Sequence, residues 1–396
     1  MKAILNTFKA GKGDCIFFQL VSEFSRYVIM IDCGSYTAEI KQFVESTLCK
    51  HIDLLIITHI DNDHIDGLRS MLQQNSELRI DKIFYNCYQK LTGQHVQIMT
   101  EETKSDIERL SQNLPSMAQI KNGKINAEKA STLASLVLSN NDWNAGWYKE
   151  DYITINSTDY VLGENFGKLI FLSPRKEDVE MLDKQFAREY MRLTHHTLIG
   201  LPFSGQETLY ELVSRLVAMK HQEYELHHPK KSSYSGTLFS DNQLTNAYDF
   251  VPTTITDENI ASIAFIWEGG DKKVLFMGDA EPMIVEQSIA LKMGSNKLDF
   301  AAIKVSHHGS KHSTSVDLMN LVDSENYFIT GGNAKDKPSL EAIVKIINRG
   351  DNRKRTLHGN YEYNQLMNKL ASEEGTTLRE KYNFTISNQN ELEFEY

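Results

Sequence analysis

The apolar positions of this 396-residue chain fall mostly into short runs that end in glycine, proline or aspartate. Residues 3–8, 15–21 and 27–31 are apolar or alternating stretches of strand length, separated by Gly11-Lys-Gly13-Asp14 and closed by Asp32-Cys33-Gly34. Runs of this length bounded by turn residues predict strands. Residues 38–50 instead place Ile40, Phe43, Val44 and Leu48 along one helical face. A buried strand is expected over 53–57, a short helix over 68–74 and a further strand over 82–86. This alternation predicts an α/β architecture.

The pattern weakens over 87–157, where helices are expected around 101–113 and 127–139 and Trp143 and Trp147 are expected to pack on that layer. Residues 168–174 predict a strand stopped by Pro174. Residues 176–257 are polar and read as an insertion, with a helix over 205–224 and a Lys/Ser/Tyr-rich loop over 227–235. Such a segment commonly narrows a site or carries a protein-partner surface. It separates a first half, 1–175, from a second, 258–396. In the second half, 259–267 and 273–280 flank Gly269-Gly270 as a hairpin, 281–293 forms a helix and 300–305 a strand.

Candidate chemistry gathers where these strands end. The strand over 53–57 runs through Thr58 into His59-Ile-Asp61-Asn-Asp63-His64-Ile-Asp66-Gly67, with four metal-ligand side chains inside six positions. A loop can turn alternate residues toward one point, so His59 and Asp61 can share one ion while Asp63 and His64 face a second. Imidazole and carboxylate together suit Zn²⁺ or Mn²⁺. Gly278 lets the chain turn so that Asp279 leaves its strand pointing at that loop. The pairs His195-His196 and His227-His228 are more simply helix-face or loop residues, and Asp66 is expected to cap the following helix.

The stretch His59-x-Asp61-x-Asp63-His64 resembles the metal motif of the metallo-β-lactamase superfamily, with Asp61 in place of the middle histidine. Three further motifs follow in family order: Asn259-x-x-Ser262, Gly278-Asp279-Ala280 and Lys304-Val-Ser-His307-His308-Gly-Ser310. Together they are similar to the soluble lactamase-like domain of the competence protein ComEC and its free-standing relatives, over about 1–85, 168–175 and 259–358. The resemblance implies a metallo-β-lactamase-like αββα sandwich with a large insertion. It also implies that Asp32 orients the metal loop through hydrogen bonds and that Asn259 faces the site, where the family's third histidine has no counterpart.

Phosphodiester hydrolysis at neutral pH needs an activated water and charge stabilisation, which two cations supply together. The assignment is His59 and Asp61 to one ion, Asp63 and His64 to the other with His307 or His308 completing it, and Asp279 bridging. Whichever of His307 and His308 is not a ligand is placed to contact the substrate or leaving group. Ser310, Lys311 and Ser313 are candidate phosphate contacts, and Arg349, Arg353, Lys354 and Arg355 are expected to face solvent or to rim a strand-binding groove.

The expected activity is therefore that of a metal-dependent hydrolase, a phosphodiesterase or nuclease using a metal-bridged hydroxide. Its expected substrate is a nucleic acid or nucleotide. The alternatives are a thioester, lactone or lactam hydrolase, or a binding module of the same fold with reduced catalysis. A net charge of −11 argues against non-specific coating of DNA. Four cysteines without paired spacing read as free thiols of a reducing compartment, and no apolar run reaches membrane-spanning length, so a cytoplasmic location is expected.

Overall fold

Two mixed sheets lie face to face in the computed structural model, which describes residues 1–87, 105–106, 109–110, 132–148, 150–194, 211–213, 239–253, 255–331, 337–359 and 365–396. The first sheet contains β1 (Lys2–Thr7), β2 (Ile16–Val21), β3 (Arg26–Ile31), β4 (His51–Ile57), β5 (Arg79–Tyr85) and β16 (Glu391–Glu395), in the order β16-β1-β2-β3-β4-β5. The second contains β6 (Tyr160–Val161), β7 (Lys168–Ser173), β8 (Ala264–Gly269), β9 (Lys272–Phe276), β11 (Ala302–Lys304), β13 (Asn326–Ile329), β14 (Arg355–Gly359) and β15 (Phe384–Ser387). Its order is β15-β14-β13-β11-β9-β8-β7-β6. Residues 300–305 do not form one strand: β10 (Leu298–Phe300) leaves the sheet to pair in parallel with β12 (Val322–Ser324), and β11 starts afresh at Ala302.

The two-residue period of the strands sorts their side chains into layers. In β4, Leu54 and Ile56 point into the space between the sheets, where they join Phe18, Phe265, Trp267 and Phe276. Leu55 and Ile57 point the other way, under Leu68, Met71 and the indoles of Trp143 and Trp147. On the far side of the second sheet Leu275 and Ile303 pack under Val285, Ile289, Leu318 and Ile343. The result is a four-layer αββα sandwich, as the resemblance implies. Each tryptophan also fixes the layer it covers, Trp143 by donating its indole N–H to the Leu78 carbonyl and Trp147 by donating to that of Tyr85.

The segment 176–257 divides its described parts between the two outer layers. The helix Lys176–Thr194 buries Leu182, Phe186 and Tyr190 in the cluster over the first sheet. The helix Asp241–Tyr248 puts Leu244 and Ala247 in the cluster over the second. Between them only 211–213, Phe239 and Ser240 are described, so most of the helix expected over 205–224 lies outside the described residues, as do His195, His196, His227 and His228. Among the described residues no helix is long and apolar enough to cross a membrane. None of the four cysteines forms a disulfide; three are buried and Cys49 is exposed.

Two expectations about polar residues are corrected. Of the basic run near 349–355, Lys354 is exposed as expected, but Arg355 is fully buried and donates to both oxygens of Asp323. Arg349 donates to the Val322 carbonyl and to the Tyr327 hydroxyl. Of the carboxylates that hold Arg355, Asp351 is only four residues away, but Asp323 sits on β12, out of reach of a local sequence window. Asp66 caps nothing; it lies inside a helix and pairs with Arg69 one turn on, at 2.7 Å.

Candidate metal centre

The early motif is a short loop, His59 to Asp61, that runs directly into the first turn of a helix. That helix runs Asn62–Gln74 with Asp61 at its N-cap, six residues earlier than the apolar spacing predicts. Aspartate at an N-cap ordinarily accepts a hydrogen bond from the helix N–H groups. Asp61 accepts none, and its Oδ2 instead stands 3.6 Å from Nε2 of His59. Asp63 and His64 follow in the first turn, where the partial positive charge of the helix end favours carboxylates.

Behind this turn Asp32 acts as a three-way acceptor. It takes the backbone N–H of Thr58 at 2.8 Å, the Thr58 hydroxyl at 2.6 Å and the Nδ1 side of His64 at 2.8 Å. Asp32 holds a left-handed backbone, φ 54°, at the end of β3. That conformation costs a non-glycine residue on the order of 1 kcal/mol, sustained here by its three bonds. With Nδ1 engaged, His64 presents Nε2 toward the centre, which is how the resemblance expects Asp32 to work.

The second sheet supplies the opposite wall from two adjacent strand ends. After β9, Gly278 adopts φ +49°, and a methyl group there would meet the Ser262 hydroxyl at 2.5 Å. That hydroxyl accepts the Asp279 N–H at 3.0 Å, aiming the carboxylate across the gap. After β11 the chain turns through His307, His308 and Gly309, all left-handed with φ of 50°, 56° and 78°. The turn is fixed by the His307 N–H donating to the Gly278 carbonyl at 3.0 Å and the Ser306 hydroxyl to that of Ala280 at 2.8 Å.

Asp279 is the meeting point. Its Oδ1 lies 3.5 Å from Nε2 of His64, and its Oδ2 lies 3.9, 3.6 and 3.8 Å from Nε2 of His59, His307 and His308. Nε2 of His308 is also 3.5 Å from Asp63 Oδ2. Besides groupings that include Asp14, with Asp279 and His308 and with Asp32 and His64, close ligand atoms form two others here, His59 with His64 and Asp279, and Asp63 with His64 and His308. His64 thus faces both, where the sequence places it with one ion alone.

The two members of the doublet differ. His308 is completely buried, whereas the His307 side chain keeps 19% of its surface open. Nδ1 of His307 faces the Ser313 hydroxyl at 3.2 Å, and the Asn259 amide nitrogen lies 3.5 Å from the ring. Asn259 therefore does face the site, from a helical turn, Asp257–Ile260, that replaces the start of the expected hairpin strand. Ser310 and Ser313 are buried, Ser313 against His307, and the Lys311 ammonium lies 5.0 Å over the Phe250 ring.

The donor set fits metal ions on two grounds. Nε2 of His59, His64 and His308 and Oδ1 of Asp279 are buried without a hydrogen-bond partner, although buried polar atoms are almost always paired. Ligand atoms about 2.1 Å from a tetrahedral ion are about 3.4 Å apart, close to the separations here. The charges agree. Burial alone would raise Asp279, but His64, His307 and His308 draw its carboxyl well below the ordinary range. Burial would likewise lower His308, yet Asp279 and Asp14 raise it. These carboxylates call for added positive charge.

Three contributors are not among the sequence-predicted site residues. Ser262 sits at the end of a recognised motif and aims Asp279. Asp14 resembles an ordinary turn aspartate, and Lys304 an ordinary strand lysine, yet both are buried and ion-paired to each other beside the centre. For Lys304, the signal was a lysine amid the apolar Ala-Ile-Lys-Val run of a central strand.

No protein-family model matches the chain, and neither does any curated protein. Among solved structures it is similar to a variant of the β-hydroxylase CmlA (11% identity, TM-score 0.37) and to CmlA, a diiron β-hydroxylase from Streptomyces venezuelae (10%, 0.35). Each match covers 100% of this chain and 54% of that one, so the chain spans about half the length of the structures it matches.

Proposed function

We propose that this chain is a metal-dependent hydrolase of phosphodiester bonds, a phosphodiesterase or nuclease of the competence-protein type, using two divalent cations, Zn²⁺ or Mn²⁺. The observation that carries the proposal is the convergence of three bare, buried imidazole nitrogens on Asp279. When bound, the cations supply a nucleophilic water at neutral pH and neutralise charge on the phosphoryl oxygens. His59, Asp61 and Asp279 would hold one and Asp63, His308 and Asp279 the other, with His64 open to both. A carboxylate can offer one oxygen to each ion, which an imidazole nitrogen cannot, and this suits Asp279 to the shared position. The mixed oxygen and nitrogen set accommodates either metal.

The remaining residues handle the substrate. Burial, the largest cause, and the nearby Lys337 and His308 push His307 down to about 3, so its ring is neutral at pH 7. A neutral, partly open imidazole held by Ser313 can hydrogen-bond a substrate oxygen without adding charge. A chain of net charge −11 is better matched to a nucleotide or a single strand confined at this pocket than to coating a duplex.

The test uses the full chain, stripped of metal and reloaded separately with Mn²⁺ and Zn²⁺. It is offered a bis-aryl phosphodiester, a labelled single strand and a chromogenic lactam. Two bound ions per chain and metal-dependent cleavage of the diester or strand are expected. Turnover of the lactam alone, or bound ions with no turnover, would sink the phosphodiesterase assignment.

A further inference from the structure

We propose that Asp14 is the positioning carboxylate of His308, and that Lys304 is the buried cation that holds Asp14 in place. This rests on the two-cation reading above and assigns His308, rather than His307, to the ion beside Asp63. Asp14 closes the Gly11-Lys-Gly13-Asp14 turn between β1 and β2, and its side chain is 1% exposed. Its Oδ1 is 3.2 Å from Nδ1 of His308, an ion-pair contact short of hydrogen-bond geometry, and that buried nitrogen has no hydrogen-bond partner among the described residues. With Asp14 on the Nδ1 side, the ring points Nε2 at Asp63 and Asp279.

Asp14 is itself held from two directions. The Thr330 hydroxyl donates to Oδ1, and the Lys304 ammonium pairs with Oδ2. The same ammonium donates to the Gly278 carbonyl at 2.8 Å and lies 3.8 Å from Asp279 Oδ1. One lysine thus ties the first turn of the chain to the strand end that carries Asp279. Next to Thr330, Gly331 leaves room for the ring, since a methyl group there would meet Cγ and Nδ1 of His308 at 2.6 Å.

The arrangement repeats, with different residues, what Asp32 and Thr58 do for His64. In each case a buried carboxylate stands at the Nδ1 edge of an imidazole, hydrogen-bonded at His64 and in ion-pair contact at His308, a threonine hydroxyl donates to the carboxylate, and Nε2 is left bare. A carboxylate behind a ligating histidine fixes its tautomer and raises its basicity. His307 has no such support, because serine and an amide stand at its ring instead.

The experiment titrates the metal-free full chain with Zn²⁺ by calorimetry, for wild type, Asp14→Asn and Asp32→Asn, with circular dichroism to confirm folding. Wild type should bind two ions, and each variant should bind one of them about 10–100-fold more weakly. Alongside, the long-range ¹H–¹⁵N spectrum of zinc-loaded wild type should show His308, assigned by loss in His308→Gln, protonated at Nδ1. If Asp14→Asn does not fold, the uncharged pair Asp14→Leu with Lys304→Met replaces it, with the same weakening expected. A folded Asp14 variant with wild-type affinity for both ions, or His308 protonated at Nε2, overturns the positioning role alone. A wild type that binds no ion overturns the two-cation reading and this inference with it.

Discussion

Nε2 of His64 stands 3.5 Å from Oδ1 of Asp279, a contact between two buried side chains carried by opposite sheets of the sandwich. The centre therefore exists only when both halves of the chain are folded against each other. Replacing Asp279 by alanine should remove the shared carboxylate while leaving every other candidate ligand in place. Bound metal should fall below two ions per chain, and diester cleavage should drop by more than about 100-fold, beyond the upper end for losing an outer partner of a ligand. Elemental analysis of the purified variant beside its activity checks this.

A second prediction concerns backbone crowding rather than chemistry. A methyl group on Gly13 would sit 1.4 Å from the Asp63 carbonyl oxygen, and one on Gly34 would sit 2.1 Å from the same atom. Both glycines therefore let two early turns close on the first turn of the helix Asn62–Gln74. Gly13→Ala should cost about 3 kcal/mol or more, the upper range for overpacking, and should displace Asp63. Urea denaturation and metal content, measured on the same sample, should fall together.

The ion pair between Arg355 and Asp323 sets an acid limit on stability. Burial would raise the Asp323 carboxyl, but hydrogen bonds from Arg355 and Lys297 bring it well below the ordinary range. Its folded value lies below the unfolded one, about 3.9. The stabilisation is thus fully present above about pH 4 and lost as pH falls further. Arg355→Met leaves Asp323 short of its main partner and should cost about 3–5 kcal/mol at pH 7, read from chemical denaturation.

His358 works in a separate and higher window. It is buried flat against Phe328, with ring centroids 4.5 Å apart, and burial pushes it down to about 4. An unfolded histidine titrates near about 6.5. The folded state thus resists protonation, and the stability present above about pH 6.5 declines as pH falls toward the folded value. His358→Leu should flatten the stability curve between these limits, by up to about 2 kcal/mol; an unchanged slope would count against it.

The candidate ligands were legible because ligand types seldom crowd the ends of apolar strands by chance, and His59, Asp61, Asp63, His64 and Asp279 all do. Less visible was whatever depends on a distant partner. Arg355 looks solvated in its own window, and the distant Asp323, itself buried, explains its burial better than the half-exposed Asp351 four residues away. Glu211 looks like a surface acid, yet it is buried and accepts the Leu133 and Ala134 N–H groups at 2.6 Å, capping a helix far upstream. The helix at Asn62 starts before its apolar face does, since asparagine and aspartate favour a first turn without contributing to periodicity. The last strand alternates Glu-Leu-Glu-Phe-Glu, a strand pattern too short and too charged to outweigh its surroundings.

That last strand has a topological consequence. β16 pairs antiparallel with β1, from Lys2 opposite Glu395 to Asn6 opposite Glu391, and the Tyr396 N–H donates to the Met1 carbonyl at 3.1 Å. The first and last residues of the sequence are therefore neighbours, and a linker of a few glycines can splice them with no rearrangement. A circular permutant reopened at the exposed Ser22–Ser25 hairpin between β2 and β3 would keep every candidate ligand in place while moving β1 and β2 from the start of synthesis to its end, after β16.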